Sequence, residues 1–355
     1  MKKDVTMKDV AEHANVSVST VSRVINGKIS ADTPIAKAVL KATEKLNYRP
    51  NAAARFMKGQ RTGTIGVILP DIANPFFTGI AAGAITRAQE NNNNIIISSS
   101  NGSIEQEKKS LEHLSRSVLD GLIYCPIARN EVFEEIEYFK NIPVVISYRR
   151  DIIPSKPQVY VDNIKGGYIA TKYMLRLNRK RICFLAGFWD PPCDSIDMLK
   201  MVSSPEAGFY TTLDRFRGYL KALEEEGIPY DPSLVFVTRY SHESGYDVAK
   251  EIIATSIDVE GILAPNDLVA SGVIKFLMEQ GISVPHNISV IGYDDSLIAP
   301  ISSPSITSIN QNSKEVGTKS VDLMLDLLKG KKVKDYVVDV SLSIRKSTSF
   351  LKSKN

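Results

Sequence analysis

From residue 62 to residue 293, short apolar runs alternate with amphipathic stretches, and this rhythm constrains the fold more than any other feature of the chain. Runs at 64–70, 94–98, 121–126 and 144–147, and again at 182–186, 234–238, 261–264 and 289–293, have the length and bounds of buried strands. Stretches 76–89, 106–117 and 131–140, then 215–226, 245–254 and 268–280, carry helical periodicity. Strand–helix alternation sustained over about 230 residues predicts parallel sheets with helices on both faces. That length suits two subdomains with a ligand cleft between them, where loops leave the carboxyl ends of strands. Segment 188–212 breaks the rhythm with Trp189-Asp190-Pro191-Pro192-Cys193 and Ser203-Ser204-Pro205. It is longer than an ordinary loop and is expected to cover or line the cleft.

Ahead of this body lie three short helical patterns. Thr6 can cap the first, with Asp9 as its acidic partner, and Val10, Ala11 and Ala14 give an apolar face. Ser17 can cap the second, whose Val21, Val24 and Ile25 recur at helical spacing before Gly27. Asp32 or Thr33 opens the third, with Pro34 in its first turn and Ile35, Val39, Ala42 and Leu46 as the expected buried stripe. Residues 51–58 suit one or two further helical turns, too few to be stable alone. Residues 1–61 hold twelve basic side chains against five acidic ones, a net +7, whereas the remainder is −3 in a chain of +4 overall. A basic head on a slightly acidic body fits a nucleic-acid reader, or equally a solvated N-terminal face.

Several function classes recede. No run approaches the roughly 20 apolar residues of a membrane span. The first lysines precede no apolar core, so no secretory signal is expected. Cys125, Cys183 and Cys193 form no Cys-x-x-Cys pair and fit a reducing cytoplasm. No glycine-rich dinucleotide motif, phosphate loop or Gly-x-Ser-x-Gly is present, and His13, His113, His242 and His286 are scattered, so neither enzyme nor metal site is expected, and no cofactor.

The run Met7-Lys8-Asp9-Val10-Ala11, Asn15-Val16-Ser17-Val18-Ser19-Thr20-Val21-Ser22-Arg23-Val24-Ile25-Asn26-Gly27, with Asn47-Tyr48-Arg49-Pro50-Asn51-Ala52-Ala53-Ala54-Arg55, resembles the head of the LacI/GalR (lactose-repressor) family. The likeness continues through Ile65-Gly66-Val67-Ile68, Asn74-Pro75-Phe76-Phe77, Asp120-Gly121-Leu122-Ile123, Asp162-Asn163, Arg215-Phe216-Arg217-Gly218-Tyr219, Asn266-Asp267 and Ile291-Gly292-Tyr293-Asp294-Asp295. The resemblance implies an α/β fold: a helix-turn-helix head over 1–48, a hinge helix and linker over 49–61, and, over 62–355, a pair of doubly wound parallel-sheet subdomains like periplasmic binding proteins. Three chain crossovers would divide the body into about 62–161 with 292–322 and about 162–291 with 323–355. It further implies a homodimeric repressor on a pseudo-palindromic double-stranded DNA operator, governed by a small-molecule effector, a sugar or sugar derivative, in the cleft.

By position, Val18, Ser19 and Arg23 would meet base edges, Arg23 gripping guanine and Val18 offering an apolar contact, unless Val18 is a small core residue. Thr6, Ser17, Thr20, Ser22 and Asn26 would meet the backbone. Asn51, Ala54, Arg55, Met57 and Lys58 would form the minor-groove hinge, with Met57 in place of the family's wedging leucine. Phe76, Phe77, Asp162, Arg215, Tyr240, Asn266 and Asp294 resemble the effector set; core packing for the phenylalanines and a cap or interdomain pair for Asp294 are the alternative readings. The chain departs from the family pattern at Ile35-Ala36, commonly Thr-Arg, and at Tyr148-Arg149, often Asp-Arg, which points to an unusual effector. A protein corepressor, or a solute-binding protein or enzyme on the same fold, is left open by the sequence. No heptad-repeat tail follows the last strand, so a dimer is expected.

Overall fold

The computed structural model describes residues 5–25, 27–48, 61–127, 133, 136–150, 153, 155–189, 198–203 and 210–351. It divides into two compact units, Met1–Thr62 and Gly63–Asn355.

The first unit is built from α1 (Met7–Ala14), α2 (Val18–Ile25) and α3 (Pro34–Lys45). Each start has a side-chain cap that satisfies an orphan backbone N–H. Thr6 and Asp9 form a reciprocal capping box. The Thr20 N–H donates to Ser17 Oγ at 3.1 Å, and the Ala36 N–H to Thr33 Oγ1 at 3.2 Å. Asn15 takes a left-handed φ of 54° to end α1 and turn the chain into α2. Val10, Ala11, Val21, Val24, Ala36, Val39 and Ala42 close a small core with Tyr48. One expectation is corrected: Ile35 is 50% exposed, and Ala36 takes its place in the core. The methyl of Ala36, three residues before Val39, occupies the contact, so the bulkier neighbour lies outside it.

The second unit holds two six-stranded sheets. The first runs β11-β5-β4-β3-β1-β2, all parallel, from β1 (Thr64–Leu69), β2 (Asn94–Ser99), β3 (Gly121–Tyr124), β4 (Val144–Tyr148), β5 (Gln158–Val161) and β11 (Tyr336–Val338). The second runs β12-β10-β9-β8-β6-β7, from β6 (Ile182–Gly187), β7 (Val235–Thr238), β8 (Gly261–Leu263), β9 (Ser289–Asp294), β10 (Thr307–Asn310) and β12 (Ser341–Ser343). Only the edge strand β12 is antiparallel to its neighbour there. The chain therefore crosses between subdomains three times: at Asp162, at 311–312 and at 339–340. The last two differ from the boundaries expected at 292 and 323. Parallel pairing holds β9 and β10 in the second sheet, while the helix after β10 packs on the first subdomain.

Three helix pairs cover these sheets: α4 (Pro75–Glu90) with α12 (Ser313–Leu328), α6 (Asn163–Arg176) with α8 (Thr211–Glu225), and α9 (His242–Ala254) with α10 (Asp267–Glu279). The shorter α5 (Ile104–Ser115), α7 (Met198–Val202) and α11 (Ile298–Ile301) complete the set. Glycine meets backbone reciprocally in every pair. A Cβ on Gly83 would stand 2.1 Å from the Lys314 carbonyl oxygen, and one on Gly317 2.0 Å from that of Ile80. Gly167 and Gly218 do the same between α6 and α8, and Gly245 and Gly272 between α9 and α10. Of the stretch expected as helix over 131–140, the described part is helical at Phe133 and a 3-10 turn at Glu137–Lys140.

Backbone on both sides leaves such a contact no soft neighbour to yield. Gly317→Val should cost about 3 kcal/mol or more, at the upper end of overpacking. Its denaturant midpoint, set against that of Gly227→Asn at an open, left-handed surface position, is the measurement.

Candidate functional site

In the head, α2 buries Val21 and Val24 and turns Val18, Ser19 and Arg23 outward. Val18 is 44% exposed, so it is no core residue. Ser17 is exposed and joined through its hydroxyl to Ser19 and Thr20 at 2.7 and 2.8 Å, and Thr6 is exposed at the start of α1. Ser22 is half-buried on the same helix. Asn26, Asn51, Ala54, Arg55, Met57 and Lys58 lie outside the described residues.

In the body, five of the seven expected effector residues, Phe76, Phe77, Tyr240, Asn266 and Asp294, converge where β1, β4, β6, β7, β8 and β9 end, at the carboxyl edges of both sheets. Asn74 caps α4 through the Phe76 N–H at 3.0 Å, and Pro75 fixes the first turn. This sets Phe76 and Phe77, each 2% exposed, against Tyr148 at ring distances of 4.9 and 5.5 Å. Phe77 meets Trp189 at 6.1 Å, and Trp189 meets Tyr240 at 4.9 Å, so aromatic contact runs unbroken from one subdomain to the other. Asn266 caps α10 through the Val269 N–H at 2.8 Å and donates to the Tyr240 carbonyl at 3.3 Å. Asp294, at a φ of 106°, accepts from the Gln311 amide. Burial pushes its carboxyl well above the usual range, the neighbouring Asp267 adds to this, and Arg215 opposes it. Burial likewise raises Asp267, although the Ser308 hydroxyl and the Ser296 N–H donate to it at 2.6 and 2.7 Å.

Two expected residues stand apart. Arg215 lies beneath the cleft floor, donating to Asn163 Oδ1 at 2.7 Å, to the Pro265 carbonyl at 2.7 Å and to the Tyr148 hydroxyl at 3.2 Å, with its guanidinium 3.6 Å from the Tyr293 ring centre. Asp162 caps α6 at the first crossover, through the Lys165 N–H at 2.9 Å, and lines neither cavity of the cleft.

The inner cavity, walled by Phe76, Phe77, Tyr148, Asn266 and Asp294, holds about 10 Å³, the room of a single water. The outer one, of about 580 Å³, is within the ordinary range for small-molecule sites. Its walls include Ser103, Ile104, Arg149, Trp189, Tyr210 and Arg239, none of them in the expected effector set. Two sequence departures did point there: the Tyr148-Arg149 pair, and segment 188–212, whose described ends line this cavity. Among the described residues, no three His, Cys, Asp or Glu side chains gather as a metal site, and no helix is long and apolar enough to cross a membrane.

Comparison with known proteins follows the same division. Residues 6–51 match the family described as bacterial regulatory proteins, lacI family, and residues 172–348 the periplasmic binding protein-like domain. The regulator RegA of Clostridium saccharobutylicum is 34% identical over 346 residues, spanning 97% of this chain and 99% of its own. The Lac repressor dimer bound to operator and an anti-inducer superposes with a TM-score of 0.82 at 27% identity, over 98% of this chain and 100% of that one. The CelR–cellobiose complex does so with a TM-score of 0.70 at 27% identity, over 97% and 99%.

The raised carboxyl of Asp294 has a pH signature. A group whose folded pKa exceeds its unfolded value, ordinarily about 4, gives stability that is fully present below that pH and is lost as pH rises through the folded pKa. Asn at 294 keeps the acceptor for Gln311 and tolerates a positive φ. Asp294→Asn should therefore raise Tm more at pH 8 than at pH 5; an equal shift at both pH values would contradict the assignment.

Proposed function

The chain belongs to the LacI family of bacterial regulatory proteins, and on that premise we propose that it is a cytoplasmic repressor that binds a pseudo-palindromic operator as a homodimer, under control of a small molecule, a sugar or sugar derivative, in the cleft of its body. Helix α2 carries this reading. One face builds the head's core, while Val18, Ser19 and Arg23 are exposed at the other, the arrangement of a helix that meets base edges in the major groove. Thr6, Ser17, Thr20 and Ser22 are proposed for phosphates, and Asn26, Asn51, Ala54, Arg55, Met57 and Lys58 complete the proposed contact set.

An effector is supported by the cleft, where the edges of both sheets end in aromatic and polar groups around a cavity of small-molecule size. Phe76, Phe77, Tyr240, Asn266 and Asp294 are proposed to sense it, with Arg215 holding the floor. The solved relative carrying cellobiose and the operator-bound dimer support effector and dimer alike. The edge strand β2 adds to the dimer reading, since it leaves Ile96 and Ile97 41% and 38% exposed. Regulation and not catalysis is the proposed role. By linkage, a ligand that releases the operator binds more weakly when the operator is present.

The test is selection of purified protein on a pool of random duplex DNA, repeated at rising salt. A pseudo-palindrome with a central pyrimidine–purine step, weakened steeply by salt, is expected. Arg23→Ala should cost roughly 1–3 kcal/mol and relax preference at one base pair per half-site. Recovery of non-specific binding alone would count against the reading.

A further inference from the structure

We infer that the outer cavity takes a ligand bearing an anionic group, carboxylate or phosphate, on a body that lies against Trp189. This rests on reading the cleft as an effector site and narrows the chemistry of what enters it. Among the described residues of the body, three arginines are buried. Arg179 donates to the backbone carbonyls of Ser349, Glu260, Asn287, Pro285 and His286. Arg215 is satisfied by three acceptors and a ring. Arg149, only 6% exposed, makes one hydrogen bond, from Nη1 to the Ile127 carbonyl at 3.1 Å. Its Nε has no partner. Among the described residues no carboxylate pairs with it, and the buried Glu107 of α5 is engaged by the Tyr124 hydroxyl and the Ile127 N–H, both at 2.8 Å. A buried cation without a counter-charge is costly. Here it borders a cavity where an anion fits, and charge-assisted bonds to a guanidinium are among the strongest available.

The rest of the wall agrees. Thr212 Oγ1, in a residue 2% exposed, is also without a partner. The twelve-residue α5 begins in this wall at Ile104, so its first-turn N–H groups and the positive end of its dipole adjoin the same space. Arg239 stands exposed at the rim. Among the described residues, the single carboxylate lining the cavity, Glu105, is bound to Lys109 at 2.7 Å. The aromatic cluster fills the inner cavity, so this outer space is where a ligand larger than water finds room.

Trp189 is the chain's only tryptophan, so its fluorescence in the full-length protein reads the site directly. Inorganic phosphate, glucuronate, glucose 6-phosphate and neutral glucose are titrated at constant ionic strength, with operator binding followed in parallel. Saturable responses are expected from phosphate and the acidic rings, stronger for the rings and absent for glucose over the same range; which acidic ring binds tighter separates carboxylate from phosphate. Arg149→Met should weaken binding by roughly tenfold or more, Arg149→Lys by less. Removing a buried charge for an apolar chain need not unfold the protein, and Arg239→Gln at the exposed rim provides a second, milder variant. A response unchanged in Arg149→Met, an equal response to glucose, or none to any anion would overturn the proposal. If operator binding still yielded to a neutral sugar, the effector reading would survive that failure. If the anions bound through Arg149 while operator binding ignored every compound, the anion site would stand and the effector reading would fall.

Discussion

A buried guanidinium holds the cleft floor together. Arg215 extends from α8 of the second subdomain and reaches the start of α6, the loop after β8 and, through the Tyr148 hydroxyl, the end of β4 in the first. Its direct partners are neutral oxygens and the Tyr293 ring. Charge-assisted bonds to neutral acceptors compensate desolvation only when geometry is met at every one. The two subdomains are thus linked at a point that tolerates little slack, and the strand ends around it inherit that placement.

Above that floor, Tyr148 decides where space remains. At a φ of 74° it ends β4 in the left-handed region and turns its ring onto Phe76 and Phe77. A tyrosine there costs backbone strain, offset by ring packing and by its hydroxyl's bond to Arg215. The consequence is a deep cleft filled with aromatic side chains and an outer chamber walled by Arg149, Trp189 and the start of α5.

Much of this was legible in the residues. The head's caps were readable because Ser, Thr and Asp at helix starts have one dominant local use, and eight strands were found because each is a bounded apolar run. β5, β10, β11 and β12 escaped. α6 and α12 escaped for a more telling reason. Gly166, Gly167 and Gly317 look like helix breakers in one dimension, yet Gly167 and Gly317 are where a neighbouring backbone must approach. Ile35 misled because two heptad-like stripes, one through Ile35 and one through Ala36, fit the same sequence. In the cleft, position in the family pattern found the inner aromatic set. It did not put Arg149 and Trp189 in the effector set, although the Tyr148-Arg149 departure and segment 188–212 pointed toward them, because an unsatisfied nitrogen and a cross-cleft ring contact have no sequence signature.

The three crossovers run close together. The Asp162 N–H donates to the Val338 carbonyl at 3.2 Å, Lys165 pairs with Asp339 at 2.5 Å, and the Asn312 amide donates to the Asp339 carbonyl at 3.0 Å. Three neighbouring tethers laced in this way behave as a flexure: they resist sliding of one sheet past the other and yield most readily to rotation about the line they define. Whatever fills or leaves the space between the sheets then acts at the end of a lever, and a small change in gap becomes a change of angle carried along the whole length of each subdomain.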